Sequence, residues 1–193
     1  MDSESSDDKY NMIEIPKMFR TFISEEYFRN CITCDKYLLD DETEYVIEKV
    51  IREGYVELEY SMCLDCVEKM RQKMSKESMD RVNQYFEENF NYYARRYDLV
   101  ASQSSNIDDY ISHSLFKDKP IHDLEEYQLL GHCRGDKMLL SVFPYIVSKD
   151  AIEEVQELLS AKTREELDDF TDKNFGLPPD LKEILRNKRP VLL

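Results

Sequence analysis

The hydrophobic positions change period along the chain, and each change marks a predicted element. Tyr45-Val46-Ile47-Glu48-Lys49-Val50-Ile51 is rich in β-branched residues and reads as a strand. Arg52-Glu53-Gly54 supplies a turn whose glycine is free to take positive φ. From Tyr55 onward the residues alternate. Val56, Leu58, Tyr60 and Met62 fall on one side, and Tyr55, Glu57 and Glu59 on the other. Together these segments predict a β-hairpin within residues 37–62. After Cys63 the period becomes helical. Leu64, Val67, Met70 and Met74 recur at three or four residues and predict a helix over 64–74. A longer helix is expected over 76–98, with Met79, Val82, Tyr85, Phe86, Phe90 and Tyr93 on one flank.

The second half repeats this order. Strands are expected near 126–130 and 137–143, and helices near 149–159 and 164–175. An earlier strand is expected near 26–29. Thr163-x-x-Glu166 reads as a capping box opening the last helix. Gly176 ends that helix, Pro178-Pro179 prevents its continuation, and a short helix is expected over 180–186. Shifting the chain by 85 residues lays 60–90 on 145–175 without a gap, with six identical residues: Tyr60/Tyr145, Asp65/Asp150, Glu68/Glu153, Ser75/Ser160, Asn89/Asn174 and Phe90/Phe175. The apolar phase matches as well, and Ser75-x-x-Ser78 falls on Ser160-x-x-Thr163, a shared cap signal. Upstream, Glu25-Glu26-Tyr27 resembles Glu125-Glu126-Tyr127, and Cys34 falls near Cys133. The expectation is an α+β protein of two related halves. Residues 1–9 form an acidic disordered arm, 10–100 the first half, 101–109 a linker, 110–186 the second half and 187–193 a tail.

Five cysteines change the picture. Cys31-Ile32-Thr33-Cys34 and Cys63-Leu64-Asp65-Cys66 are two C-x-x-C pairs, and Cys133 stands alone. The spacing lets one tight turn place two sulfurs about 2.3 Å from one ion, and a second turn closes a tetrahedron. Cys31, Cys34, Cys63 and Cys66 are therefore the expected ligands of one structural Zn2+ per chain. Two other readings stay open. The cysteines could be small apolar core residues, or a redox-active dithiol set. In the second half, Ser148 and Ala151 stand where Cys63 and Cys66 stand in the first, so that half is expected to lack zinc. A knuckle, a hairpin and a helix carrying the second C-x-x-C at its start resemble the treble-clef class of zinc fingers over roughly residues 27–74. The resemblance implies a metal-organised fold. Asp35 stands where such fingers often carry a glycine.

Composition excludes several functions. Acidic residues number 41 against 26 basic, a formal charge of −15. That opposes general nucleic-acid binding, which needs clustered Lys and Arg, and docking on an anionic membrane surface. No apolar run approaches a membrane span. The start, Met1-Asp2-Ser3-Glu4, shows neither a basic n-region nor an apolar h-region, so no secretory signal is expected. With an odd cysteine count, this points to a reducing, cytoplasmic compartment. Four glycines are poor material for a phosphate loop, and no G-x-S-x-G or H-E-x-x-H motif occurs. The acidic runs, Asp40-Asp41-Glu42, Glu87-Glu88 and Asp168-Asp169, read as solvated faces.

Two further groups of residues are candidates. Gly131-His132-Cys133-Arg134-Gly135-Asp136 offers a cysteine beside a histidine in a glycine-rich turn. It reads either as the degenerate knuckle of the second half or as a nucleophile corner oriented by His122. A second metal site using His122, His132 and Cys133 has no tight spacing to recommend it. Tyr92, Tyr93, Arg95, Arg96 and Tyr97 end the longer predicted helix, either as a patch for a protein partner or as cations on a negative helix end. The expected function is a non-catalytic, acidic zinc-binding adaptor or regulator that binds another protein, to which a basic partner is suited. The alternatives are a zinc-thiolate redox sensor, a cysteine-dependent enzyme using the Gly131 to Asp136 corner, and a site-specific nucleic-acid reader.

Overall fold

The computed structural model describes residues 11–102 and 104–176. Six antiparallel strands form one sheet: β1 (Asn11–Glu14), β2 (Glu44–Arg52), β3 (Tyr55–Cys63), β4 (Glu126–Arg134), β5 (Lys137–Leu140) and β6 (Tyr145–Ser148). Their order is β1-β5-β4-β2-β3, and β6 pairs with β4 beside β5. The helices are α1 (Leu64–Lys73), α2 (Lys76–Asn89), α3 (Tyr92–Ser102), α4 (Asp108–Ile111), α5 (Lys149–Leu158) and α6 (Ala161–Phe175). The fold is α+β, and no described helix is long and apolar enough to cross a membrane.

The predicted hairpin is β2–β3. Its turn places Glu53 at φ 50° and Gly54 at φ 81°, two consecutive left-handed residues that suit the right-handed twist of the flanking strands. β2 is buried through most of its length because both sheet faces are covered. On one face, the segment ahead of β2 lays Phe19 against Gly131. A Cβ on Gly131 would stand 2.8 Å from the Phe19 ring, so only glycine admits that approach. On the other face, Tyr60 meets Phe170 and Phe175 of α6 edge to face at 5.8 and 5.7 Å. Tyr60 also donates its phenol to buried Glu48. The result is three layers: the N-terminal segment, the sheet, and the helices.

β2 and β4 pair along nine residues, from Glu44 opposite Arg134 to Arg52 opposite Glu126. The register is symmetric about Glu48 opposite Leu130. On the outer side of β2, Tyr60 faces Glu48. On the outer side of β4, Tyr145 faces Leu130. β3 leads into α1 and α2, and β6 into α5 and α6. The second helices of both pairs start together. Ser75 caps α2, accepting from Ser78 N at 3.1 Å, and Ser160 caps α6, accepting from Thr163 N at 3.3 Å. The two caps then exchange bonds. Ser75 N donates to Thr163 Oγ1 at 2.9 Å, Ser160 N donates to Ser78 Oγ at 2.8 Å, and the two serine hydroxyls meet at 2.8 Å. Such reciprocity is the pattern of a two-fold contact. Ser75→Ala and Ser160→Ala should each cost about 1 kcal/mol. The double variant should cost less than their sum, because each hydroxyl is the other's partner. A urea-denaturation double-mutant cycle reads this coupling.

Several expected elements are corrected. The helix expected over 76–98 is two helices. Phe90 is extended at φ −139°, ψ 118°, and Asn91 accepts from Ala94 N at 2.9 Å to start α3. Asparagine competes for backbone amides and favours caps over helix interiors, which accounts for the break. Residues 101 and 102 continue α3, and α4 starts at Asp108 and runs past the end of the stretch 101–109 expected as linker. Residues 26–29 form no strand; an isolated bridge joins Asn30 and Tyr37 instead. The segment 137–143 divides into β5 and an approach to β6. Residues 131–136 are the end of β4 and its turn into β5, not a knuckle. The last helix is capped by Ser160, not by Thr163, which lies buried one turn inside with its hydroxyl facing Ser75. Gly176 ends it in the left-handed region. The expectations for residues 1–9, Pro178-Pro179, 180–186 and 187–193 lie outside the described residues.

Candidate metal centre

The first C-x-x-C sits in a tight loop. Cys31 N donates to Lys36 O, and Asp35 N donates to Cys31 O, both at 2.9 Å. Asp35 takes φ 60°, the left-handed conformation that a glycine would fill more easily. Asn30 Nδ2 donates to Asp35 O at 2.9 Å and steadies it. Two bonds fix this loop on β3: Ile32 N to Ser61 O at 2.9 Å, and Ser61 Oγ to Asn30 O at 3.1 Å. The second pair spans a junction. Cys63 is the last residue of β3 and the N-cap of α1, and Cys66 lies in the first turn of α1.

These elements bring Cys31, Cys34, Cys63 and Cys66 together, with all four sulfurs within 4.8 Å of one another. Cys34 Sγ lies 3.7 Å from Cys63 Sγ. A tetrahedral ion with metal–sulfur bonds of about 2.3 Å separates its sulfurs by about 3.8 Å, so the donors fit such an ion. Cys31, Cys63 and Cys66 are buried, and Cys34 is exposed. Cys63 N points at Cys31 Sγ at 3.4 Å. Burial opposes ionisation of Cys31, but backbone donors at Cys63, Cys34 and Thr33 outweigh it and lower that thiol. Burial pushes the Cys63 and Cys66 thiols up. Metal binding at this cluster would therefore release protons. Four sulfur donors complete a tetrahedron and leave no position for a substrate.

The remaining candidates are dispersed. Cys133 is fully buried, and burial pushes its thiol up. It is a packing residue beside Tyr45, its cross-strand partner. His132 is the next residue on β4 and so projects from the opposite face. Its Nε2 lies 3.0 Å from Glu44 Oε2, and its ring meets Phe143 at 5.7 Å. The structure therefore does not bring His132 and Cys133 together as base and nucleophile. His122 is exposed beside Asp123 at 3.6 Å, and His113 lies beside Ser112. Among the described residues the only metal-competent cluster is the four cysteines, so His122, His132 and Cys133 form no second one.

Sequence reasoning missed a polar cluster on β2 and β4. Glu44 accepts from Arg134 Nη2 at 2.7 Å and faces His132. Burial alone would raise the Glu44 carboxyl, but Arg134 and His132 hold it below the ordinary range. Burial keeps His132 below the usual imidazole value despite Glu44. Only the β2–β4 register reveals this cluster, and nothing local in the sequence encodes it.

The candidate partner patch is also divided. Arg95 turns inward, and its guanidinium donates to Tyr110 O at 2.8 Å and to Val142 O and Pro144 O at 3.1 Å each. It is a clasp, not a surface cation. Arg96 is half-buried. Tyr93 and Tyr97 are 83% and 75% exposed, one helical turn apart, and Tyr92 is 41% exposed against Phe90. No protein-family profile, curated protein or solved structure matches the chain. The geometry of the cysteine cluster is the strongest functional signal.

Proposed function

We propose that Cys31, Cys34, Cys63 and Cys66 hold one structural zinc ion, and that the protein is a non-catalytic adaptor or regulator that binds another protein. The observation that carries the reading is the convergence of four sulfurs from two separate elements within 4.8 Å. The donor set favours zinc among abundant divalent ions, since thiolates are soft ligands. The paired strand, helix, helix windows and their exchanged cap bonds support descent of the two halves from one unit, with the metal kept in the first. In an experimental structure, residues 60–90 and 145–175 should then superpose with the same helix crossing; different crossings would reduce the repeat to shared helical phase. Exposed Tyr93 and Tyr97 on a chain of net charge −15 support a protein partner with basic character.

A redox-sensor reading draws on one observation: Cys34 is exposed. Elemental analysis of protein purified without chelator should find one zinc per chain, and less than about a tenth of an equivalent would refute a resident ion. Low micromolar peroxide should release little zinc to a chromogenic chelator if the site is structural. Rapid release that thiols reverse would replace the adaptor reading with the sensor. Capture from native lysate, followed by mass spectrometry, identifies the partner.

A further inference from the structure

We propose that the groove between α2, α3 and the β5–β6 connection receives a partner segment carrying an apolar side chain next to a lysine or arginine. This rests on the adaptor reading and assigns its contact surface. The groove has a volume of about 260 Å³, with Phe86, Phe90 and Tyr92 on one side and Leu115, Val142 and Phe143 on the other. Small-molecule sites usually enclose ~300–1,000 Å³, so this one suits a single side chain better than a cofactor.

The groove is already built. Phe116 wedges against Phe86 at 4.7 Å, and Phe90 stands edge-on to Tyr92 at 6.4 Å. The Arg95 guanidinium ties α3 to the carbonyls of Val142 and Pro144 and so fixes the two walls to each other. A preformed groove loses little ordering entropy when filled. At its mouth, partly exposed Tyr92 continues onto Tyr93, which extends the apolar surface.

Electrostatics select the neighbour of the anchor. Glu87 lines the groove. Glu87 and Glu88 both lie in the last turn of α2, the negative end of its dipole, and no basic residue occupies that turn. Glu88 takes a hydrogen bond from the neutral amide of Gln84 at 2.7 Å. In the first turn of α3, the Arg95 guanidinium is turned inward onto the carbonyls of Tyr110, Val142 and Pro144 and forms no ion pair with Glu87 or Glu88. Two carboxylates on a negative helix end favour a cation from outside, and the aromatic rings at the mouth add cation–π attraction. The same two carboxylates disfavour an anionic ligand. A second copy of the chain brings the same −15 charge and is disfavoured for the same reason.

The test is selection of a random dodecapeptide phage library against the full chain with its metal, beside the Glu87→Lys variant. Glu87 is exposed, and a lysine suits the end of α2, so that variant retains the fold. Wild-type protein should enrich peptides with an apolar residue within one helical turn of Lys or Arg. Glu87→Lys should bind those peptides at least tenfold more weakly and select acidic neighbours instead. Peptides without a basic residue, equal binding by both forms, or no enrichment would each overturn the groove assignment. Lysate capture separates the two levels. A native partner held equally by wild type and Glu87→Lys removes the groove and leaves the adaptor. Failure of both forms to hold any partner removes the adaptor reading itself.

Discussion

Cys63→Ser is expected to abolish metal retention and unfold the sheet. A structural zinc ion on thiolates contributes on the order of 10 kcal/mol to folding in small modules, and whole domains are stable by about 5–15 kcal/mol. Cys63 ends β3, caps α1 and directs its amide at Cys31, so one substitution disturbs strand, helix and the proposed ion site together. From sequence, the damage is expected to stop within the first half. Because β2 pairs with β4 along nine residues, loss of β3 should reach the second half too. Acid should act in the same direction. The Cys63 and Cys66 thiols are raised when no ion shares them. Protons therefore compete with the metal more strongly as pH falls, and metal-linked stability is lost on acidification and regained on return to neutral pH. Cys133→Ser provides the contrast. Sequence alone suggests little effect, but the fully buried position makes a new hydroxyl cost about 1–3 kcal/mol. Its metal content should be unchanged. Thermal unfolding with elemental analysis of both variants distinguishes ligand from packing residue.

Lys49→Ala is expected to cost about 1–3 kcal/mol, because it takes the cation from half-buried Glu59 and the donor from Arg20 O. Lys49 is 2% exposed. Its ammonium meets Glu59 Oε2 at 2.9 Å and also donates to Arg20 O. The same Glu59 carboxylate accepts from Phe22 N at 2.9 and 3.0 Å. Together these groups fasten the segment carrying Phe19 onto the sheet. Lys49→Ala with Glu59→Gln should be less destabilised than Lys49→Ala alone, because no uncompensated charge remains. Urea denaturation of the two singles and the double measures the difference. Equal stability of Lys49→Ala and wild type would show that the ammonium is hydrated and the clasp idle.

What was legible in the sequence was local. The β2–β3 hairpin follows from β-branched residues and the Glu53-Gly54 turn. α1 and α5 follow from apolar spacing, and the cysteine cluster follows from two identical knuckle spacings. What was not legible depended on pairing between distant strands. Lys49 shares its strand face with apolar Tyr45 and Ile47, and a single strand cannot report which separate segment supplies the partners of its ammonium. Arg95 beside two tyrosines looks like a surface cation until three carbonyls from elsewhere in the fold converge on it. The Glu44, His132 and Arg134 cluster needs the β2–β4 register, which no short window contains. The break at Phe90 was within reach, since asparagines flank it, but the aromatic period running through it argued for one helix.

The central strand pair also has a consequence in time. β2 begins at Glu44 and its partner β4 begins at Glu126, 82 residues later. At synthesis rates of about 5–20 residues per second, roughly 4–16 s pass before β4 follows β2 out of the ribosome. β3 covers one edge of β2 at once, while the other edge stands bare, largely apolar and ready to pair with any neighbouring strand. Lengthening the intervening stretch costs a finished chain little, about 0.6 kcal/mol per doubling of a flexible loop. It prolongs the bare interval in direct proportion, so yield during synthesis is more sensitive to that stretch than equilibrium stability is.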